Sequence, residues 1–450
     1  MGIHAAIPLL LLQTVWVVDD NGGPGVDFTD IQPAIDAAAD GDVLDVRAGT
    51  YTHFTLSGKG LRILGEDSAT TVVSSPGTTG FATLITSIPP GSVAFVDRMR
   101  FQGWTGEGPR LTVSGATTRA VLADLQVYGS PPCIACGIPW MVINPGGGIL
   151  VEDSDAHLIR NEVFGKNGSG TQGPGPALRF TGDARGFVGS CQLFGGSGTT
   201  PVTTFGLLPQ NGSYAVHVQS SGALVPKVWF ADSLVFGGTG SPALPITAPS
   251  DGSGGSGIIA TGSAVRVSGD PTSLVHGGNA GCGLGPPSAG MGGVGILSTS
   301  GAVDVHSVPV LGGDVCGGSP AAPTSGPGIT LSATPLPVLR VTGNLTTSGN
   351  ATVSFSGGPS SAPFLIAMAL EPGFASGGPF FLGEILIDPV DWFPLFAGGL
   401  SPAGEFTITF PLTGIAPSFA YTPVYLQGIA LDPSGTFWRV SNSTVATLRP

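Results

Sequence analysis

Arg179, His217 and Glu152 are the side chains of this 450-residue sequence whose types could together do acid, base or electrostatic chemistry. Each stands in one copy of a recurring phrase, GGILVEDSD, PALRFTGD or YAVHVQSSG, and Arg179 and His217 occupy the same place in theirs. If successive copies stack as strands about 4.8 Å apart, the guanidinium and the imidazole become neighbours. Glu152, Thr181 and Gln219 then fall in an adjoining row. A carboxylate, an arginine and an imidazole on one face suffice for lyase or hydrolase chemistry on a glycan. The plainer reading, which the sequence favours, is a ladder of ordinary solvated polar residues.

Asp153 and Asp155 flank Ser154 in the turn of the same repeat. With Glu152 they could hold calcium. Aspartate and serine are also the default residues of tight turns, and the turn is the preferred reading, so no cofactor is expected and calcium is the alternative. His157, His276 and His306 lack the paired spacing of metal ligands. Among five cysteines, Cys133 and Cys136 form C-I-A-C in a proline-flanked loop without the strand and helix of a redox site. A local disulfide between them is expected, with a structural metal as the weaker choice. The odd count leaves at least one free thiol.

A third candidate is the residue before the glycine that ends most phrases: Gln102, Tyr128, Phe164, Phe194, Phe236, His276 and Leu311. The position before it is always apolar, so alternation turns this one outward. Tyr128, Phe164, Phe194 and Phe236 should therefore lie in a row, either as a small core holding down the loops, the preferred reading, or as a platform for sugar rings.

The elements that position these residues follow from a repeat. The apolar anchor recurs at Phe101, Val127, Val163, Leu193, Val235, Val275 and Val310, in steps of 26 to 42 residues. The strand-like runs keep their length, and what varies is the Gly, Ser, Pro and Thr segment after each terminal glycine. Ile149 and Val151, Leu178 and Phe180, Val216 and Val218, Ile258 and Ala260, Ile296 and Ser298, and Ile329 and Leu331 should face inward. Constant short strands with loops at one fixed phase describe a solenoid, here an all-β right-handed parallel β-helix over residues 14–345. Ahead of its coils, DFTDIQPAIDAAADG reads as a short helix with Thr29 as N-cap, Ile31, Ala34, Ile35 and Ala38 on one face, and Gly41 as the stop.

Composition agrees. Charged residues make up 10% of the chain, against about 25% in ordinary domains. Gly 74 and Pro 40 would indicate disorder without a period, but 41% hydrophobic residues can build a core, and the glycines are expected in turns. A net charge of -13 disfavours nucleic acid as a partner. Residues 1–13 contain the apolar run IPLLLL and resemble a signal-peptide remnant too short to span a membrane. No other apolar run is long enough to span one, and a secreted or cell-surface location is expected. Residues 346–450 carry strand runs such as ATVSF, FLIAMAL, FTITFPL and VYLQGIAL and should form a small β-sandwich, expected to cap the coil.

The opening F-T-D-I-Q-P-A-I-D-A-A, G-D-V-L-D-V, A-G-T-Y and G-L-R-I-L-G-E-D resembles the start of pectinesterase-like proteins of the pectin-lyase-like superfamily. The resemblance implies a right-handed parallel β-helix whose N-terminal helix covers the first open coil. It does not extend to the catalytic motifs: VWFADSLVFGG offers only Asp232, and Gln126 and Gln192 lack the neighbouring signature. The ending YLQGIALDPSGTFWRVSNSTVATL is similar to C-terminal modules of exported bacterial proteins. The expected function is non-catalytic contact with glycans or other surface polymers. The alternatives are a polysaccharide-active lyase, hydrolase or esterase with a divergent site, and a structural spacer or adhesin shaft. Methylated pectin incubated with the protein should release no methanol above the buffer blank, and enzyme-like turnover would refute the reading of the missing motif.

Overall fold

The computed structural model describes residues 13–447 apart from 75–81, 103–108, 130–146, 169–172, 200–209, 223–224, 243–250, 270–271, 283–289, 317–318, 334–335, 344–348, 371, 377–380, 383, 388–391 and 414–422. The chain forms a right-handed parallel β-helix with three columns of strands. The first column runs through Thr83–Thr86, Leu111–Ser114, Ile149–Glu152, Leu178–Thr181 and Val216–Gln219 to the starts of Ile258–Ser268 and Ile296–His306. The second stacks Ala94–Asp97, Arg119–Ala123, Asp155–Ile159, Arg185–Gly189 and Lys227–Ala231. The third stacks Gln126–Tyr128, Glu162–Phe164, Gln192–Phe194, Leu234–Phe236 and Leu274–His276. Neighbouring pairs are parallel and in register, apart from an irregularity at Thr261 and Ser263 where Ile258–Ser268 meets Ile296–His306, so residues of one kind line up along the axis.

The lumen is apolar as the alternation requires. Ile149, Val151, Leu178, Phe180, Val216, Val218, Ile258 and Ala260 are buried, as are the third-column anchors Phe101, Val127, Val163, Leu193, Val235 and Val275. The last phrase departs from expectation. Ile329–Ser332 pairs with Val303–His306 in the second column, while Thr324–Ser325 takes the first-column place. Leu331 thus stands at the end of the stack, 62% exposed, because no further coil among the described residues covers it.

At the other end, helix Ile31–Ala37 lays Ile31, Ala34 and Ile35 over the lumen. Its N-cap is Asp30 and not Thr29: the Asp30 carboxylate accepts from the Ile31 N–H at 2.8 Å and also from the Thr52 N–H and hydroxyl. The Lys59 ammonium closes the C-terminus by donating to the Ile35 and Ala38 carbonyls at 2.8 and 2.6 Å. The expected cap is therefore present, held by a different residue.

The glycines after the third column are not turns. Gly195, Gly196 and Gly198 donate to Phe236 O, Gly175 O and Thr239 O, so neighbouring donors diverge and the direction returns every third residue. That is the period of a polyproline-II-like strand, here hydrogen-bonded to its neighbours. A ladder of such bonds, 2.7 to 3.0 Å long, climbs from Gly196 N–H to Gly175 O through Ser213, Gly238, Gly255, Gly278 and Gly293 to Gly313 N–H. None of these glycines has a positive φ. Their requirement is space: a Cβ on Gly238 would lie 1.9 Å from the Gly196 carbonyl oxygen, and one on Gly278 equally close to that of Gly238. Cys282 and Cys316 form a disulfide across two adjacent segments of this layer. Cys133 and Cys136, whose pairing the sequence leads one to expect, lie outside the described residues, as do residues 1–12.

Besides the antiparallel pair of Pro372–Ser376 with Glu384–Ile387, the C-terminal residues form two larger sheets. Val338–Gly343, Asn350–Ser356 and Phe406–Pro411 make one. Phe381–Leu382, Trp438–Thr447, Pro423–Leu431, Pro363–Ala369 and Trp392–Gly399 make the other, whose Phe381–Leu382 strand alone runs parallel to its neighbour. Leu339, Val353 and Phe355 face Phe364, Ile366, Leu426 and Ala430 between them. Because Val338–Gly343 belongs here, the last coil strand ends at Ser332, short of the expected boundary. The larger sheet does not sit over the coil end. Ala367, Ala369, Tyr425 and Val445 pack along the coil's flank, on the outward second-column row of Phe95, Val121, Phe187 and Trp229. Two arginines tie this seam: Arg160 pairs with Asp124 at 2.6 Å and donates to Val445 O, and Arg340 grips Asp232 with bonds of 2.9 and 2.6 Å.

His157 lies in that row, fully buried between coil and sheet, its ring edge against Phe187. Burial pushes its pKa down to about 3, with a Gly373 backbone hydrogen bond opposing. Two outcomes are expected. Gly238→Ala should destabilise the protein by at least ~1–3 kcal/mol, the cost of overpacking, while Gly399→Ala, where a Cβ meets nothing, leaves the denaturation midpoint unchanged. Stability should also fall as pH drops from 6.5 toward 3, because the unfolded imidazole takes a proton that folded His157 refuses. His157→Phe should flatten that acid slope in a pH series of thermal melts, and an unaltered slope would exclude His157 as its source.

Candidate functional site

The in-register stacking of Leu178–Thr181 on Val216–Gln219 sets Arg179 beside His217 on the outward face of the first column. Leu150 precedes them in the same row and Ile259 follows, so the pair is fenced by aliphatic side chains. Tyr214 joins from the chain entering the strand, its ring 4.9 Å from His217 and nearly perpendicular at 63°. A faint signal for Tyr214 lies in its position: it stands two residues before the strand, where neighbouring coils have Gly147, Pro176, Ser256 and Val294.

Both polar members are half-buried and underused. Arg179 Nε and His217 Nδ1 are buried with no hydrogen-bond partner among the described residues. Burial, and then the charge of Arg179, holds the His217 pKa down at about 4, so the imidazole is neutral near pH 7. Burial raises the Tyr214 phenol, with Arg179 opposing. The cluster at neutral pH is thus one cation, one neutral imidazole and one phenol. Glu152 does not complete it. It is exposed on the other outward row, in register with Thr181, and no described ion pair joins it to Arg179.

The ring row exists, and its geometry changes what it can do. Tyr128, Phe164, Phe194 and Phe236 are all half-buried. Successive ring centroids lie 5.0, 5.0 and 5.5 Å apart with interplanar angles of 6°, 12° and 7°. Rings that close and that parallel overlap face to face. Arg100 sits over the outer face of Tyr128 at 6.0 Å, and His276 follows Phe236 at the same spacing. A sugar stacks on an open ring face, and here each face is taken by a neighbour, leaving edges to solvent. The row serves as a spine at the base of the glycine layer, whose segments begin at the very next residue.

The remaining candidates are engaged in the coil. Asp153, with φ of 47°, accepts from the Asp183 N–H at 2.9 Å and so holds the turn of the next coil. Asp155 takes two bonds from Arg185, at 2.8 and 2.9 Å, and faces Arg119 at 3.9 Å. Those contacts use the carboxylates considered for calcium. Among the described residues no three His, Cys, Asp or Glu side chains gather as a metal site. Cys191 is a free, buried thiol in the bend between the second and third columns; burial pushes its pKa up to about 12, which removes it as a nucleophile.

No protein-family model matches the sequence, and no curated protein matches it. Among solved structures, the enzymatically active domain of tailspike protein 4 of bacteriophage CBA120 is similar with a TM-score of 0.26 and 11% identity, over 90% of this chain and 63% of that one.

Proposed function

We propose that this protein is an extracellular, non-catalytic binder of acidic polysaccharide that contacts its ligand through the first-column face at Arg179, His217 and Tyr214. The observation that carries the reading is the half-buried guanidinium, its Nε without a hydrogen-bond partner and its cluster without a carboxylate among the described residues. A partly desolvated cation is costly without a counter-charge. A polymer carboxylate would supply one. The in-register rows, repeating at strand spacing, suit an extended ligand with repeating units better than a compact one. The disulfide Cys282–Cys316 supports an oxidising compartment. No helix among the described residues is long and apolar enough to cross a membrane.

The enzymatic alternative rests on the same side chains. Arg179 would hold a uronate carboxylate, His217 take the adjacent carbon-bound proton and Tyr214 return one. A base with a pKa about 4 has little driving force near pH 7, which favours binding over turnover. Calorimetry with polygalacturonate oligomers, run beside an absorbance assay for unsaturated product, tests both. Binding is expected with no product. Arg179→Ala should weaken affinity at least ~10-fold, the value of one charge-assisted hydrogen bond, with an unchanged melting midpoint. Equal affinity in the variant would reject the site, sustained product release would establish the enzyme, and no binding to any acidic polymer would leave the shaft reading.

A further inference from the structure

The seam between the coil and the larger C-terminal sheet ends in a cleft. Apolar contact along the second-column row stops at Trp229, and the next residues in that row are Arg266 and Asp304. In the adjoining outward row, Arg119, Asp155, Arg185 and Lys227 are followed by Ala264 and Ala302, where two methyl groups replace long charged chains. The step opens a space of about 210 Å³, overhung by Leu386 of the C-terminal unit, with Phe187 and Trp229 in its wall.

Its charge runs against that of the protein. Arg185, Lys227 and Arg266 line it with Asp304 as the one acid, in a chain of 16 basic and 29 acidic residues. Arg185 is held in place by its paired bonds to Asp155. Lys227 is exposed at the mouth and makes no side-chain hydrogen bond or ion pair with any described residue. Concave sites between two units, with an apolar wall and a few converging polar groups, are where small ligands bind.

We propose that this cleft binds a small hydroxylated oxyanion, a sugar acid or a sugar phosphate, with its anionic group at Lys227 and Arg185 and its hydroxyls toward Asp304. An oxyanion supplies the charge that Lys227 lacks, and a carboxylate at the far end accepts from hydroxyl groups. The volume admits one monosaccharide unit. The site lies on a different face from Arg179 and does not depend on the polysaccharide reading.

Calorimetry and thermal melts of the full chain with D-galacturonate, glucose 6-phosphate, inorganic phosphate and galactose test it. One equivalent of galacturonate or of glucose 6-phosphate should bind and raise the melting midpoint; comparing the two tells carboxylate from phosphate, and either supports the site. Galactose should do neither. Lys227→Glu should weaken that binding at least tenfold while the unliganded midpoint stays, since Lys227 is exposed, and Arg179→Ala should bind as the parent does. Neither sugar anion binding, undiminished binding in Lys227→Glu, or inorganic phosphate binding as tightly as glucose 6-phosphate with no loss in Asp304→Asn would overturn the assignment.

Discussion

In-register parallel hydrogen bonding between successive coils is the constraint on which the rest of this molecule depends. Each coil fixes the height and phase of the next, and every row on the surface is a consequence. The apolar lumen, the ring ladder, the pairing of Arg179 with His217 and the Asp155 contact with Arg185 all arise because equal positions meet at strand spacing. The glycine layer extends the same constraint beyond the strands. Segments with no strand ladder of their own continue the stack by bonding every third residue sideways, and at positions such as Gly238 and Gly278 only glycine permits the approach this requires.

Stacking at one spacing also decides what the surface offers. Rings placed at that interval with nearly parallel planes stack on one another, so an aromatic row consumes its own faces. Charged groups at the same interval behave differently. Opposite charges find each other and are neutralised, as Asp155 and Arg185 are, while a cation whose neighbours are an imidazole and leucine is left without a counter-charge among the described residues. The unusual residue on a periodic surface is the one whose neighbours fail to satisfy it.

The C-terminal sheets add a second layer of burial. By lying along the flank they convert an outward row of the coil into core, which explains why Phe95, Val121, Phe187 and Trp229 are apolar on a face that would otherwise be wet. They also enclose His157 and are tied by Arg160 and Arg340. The open lumen end at Leu331 remains uncovered among the described residues.

The sequence by itself determined the coil. Its two-residue alternation assigned inward and outward faces, its recurring phrase brought Arg179 to His217, and its amphipathic opening placed the cap helix, because strand and helix periods are local properties. Where the repeat weakens, at Ile329 and Leu331, the spacing points to the first column and the chain occupies the second. Other features were set only by the tertiary structure. The glycines resemble turn glycines in composition, and the difference is a carbonyl oxygen from a segment some forty residues away. Cys282 meets Cys316, and Tyr214 meets His217, through segments whose phase the strand pattern does not specify. The burial of His157 and the cleft at Lys227 exist because a separate sheet docks on the flank, and contact between two surfaces depends on shape and register that no spacing within either one records.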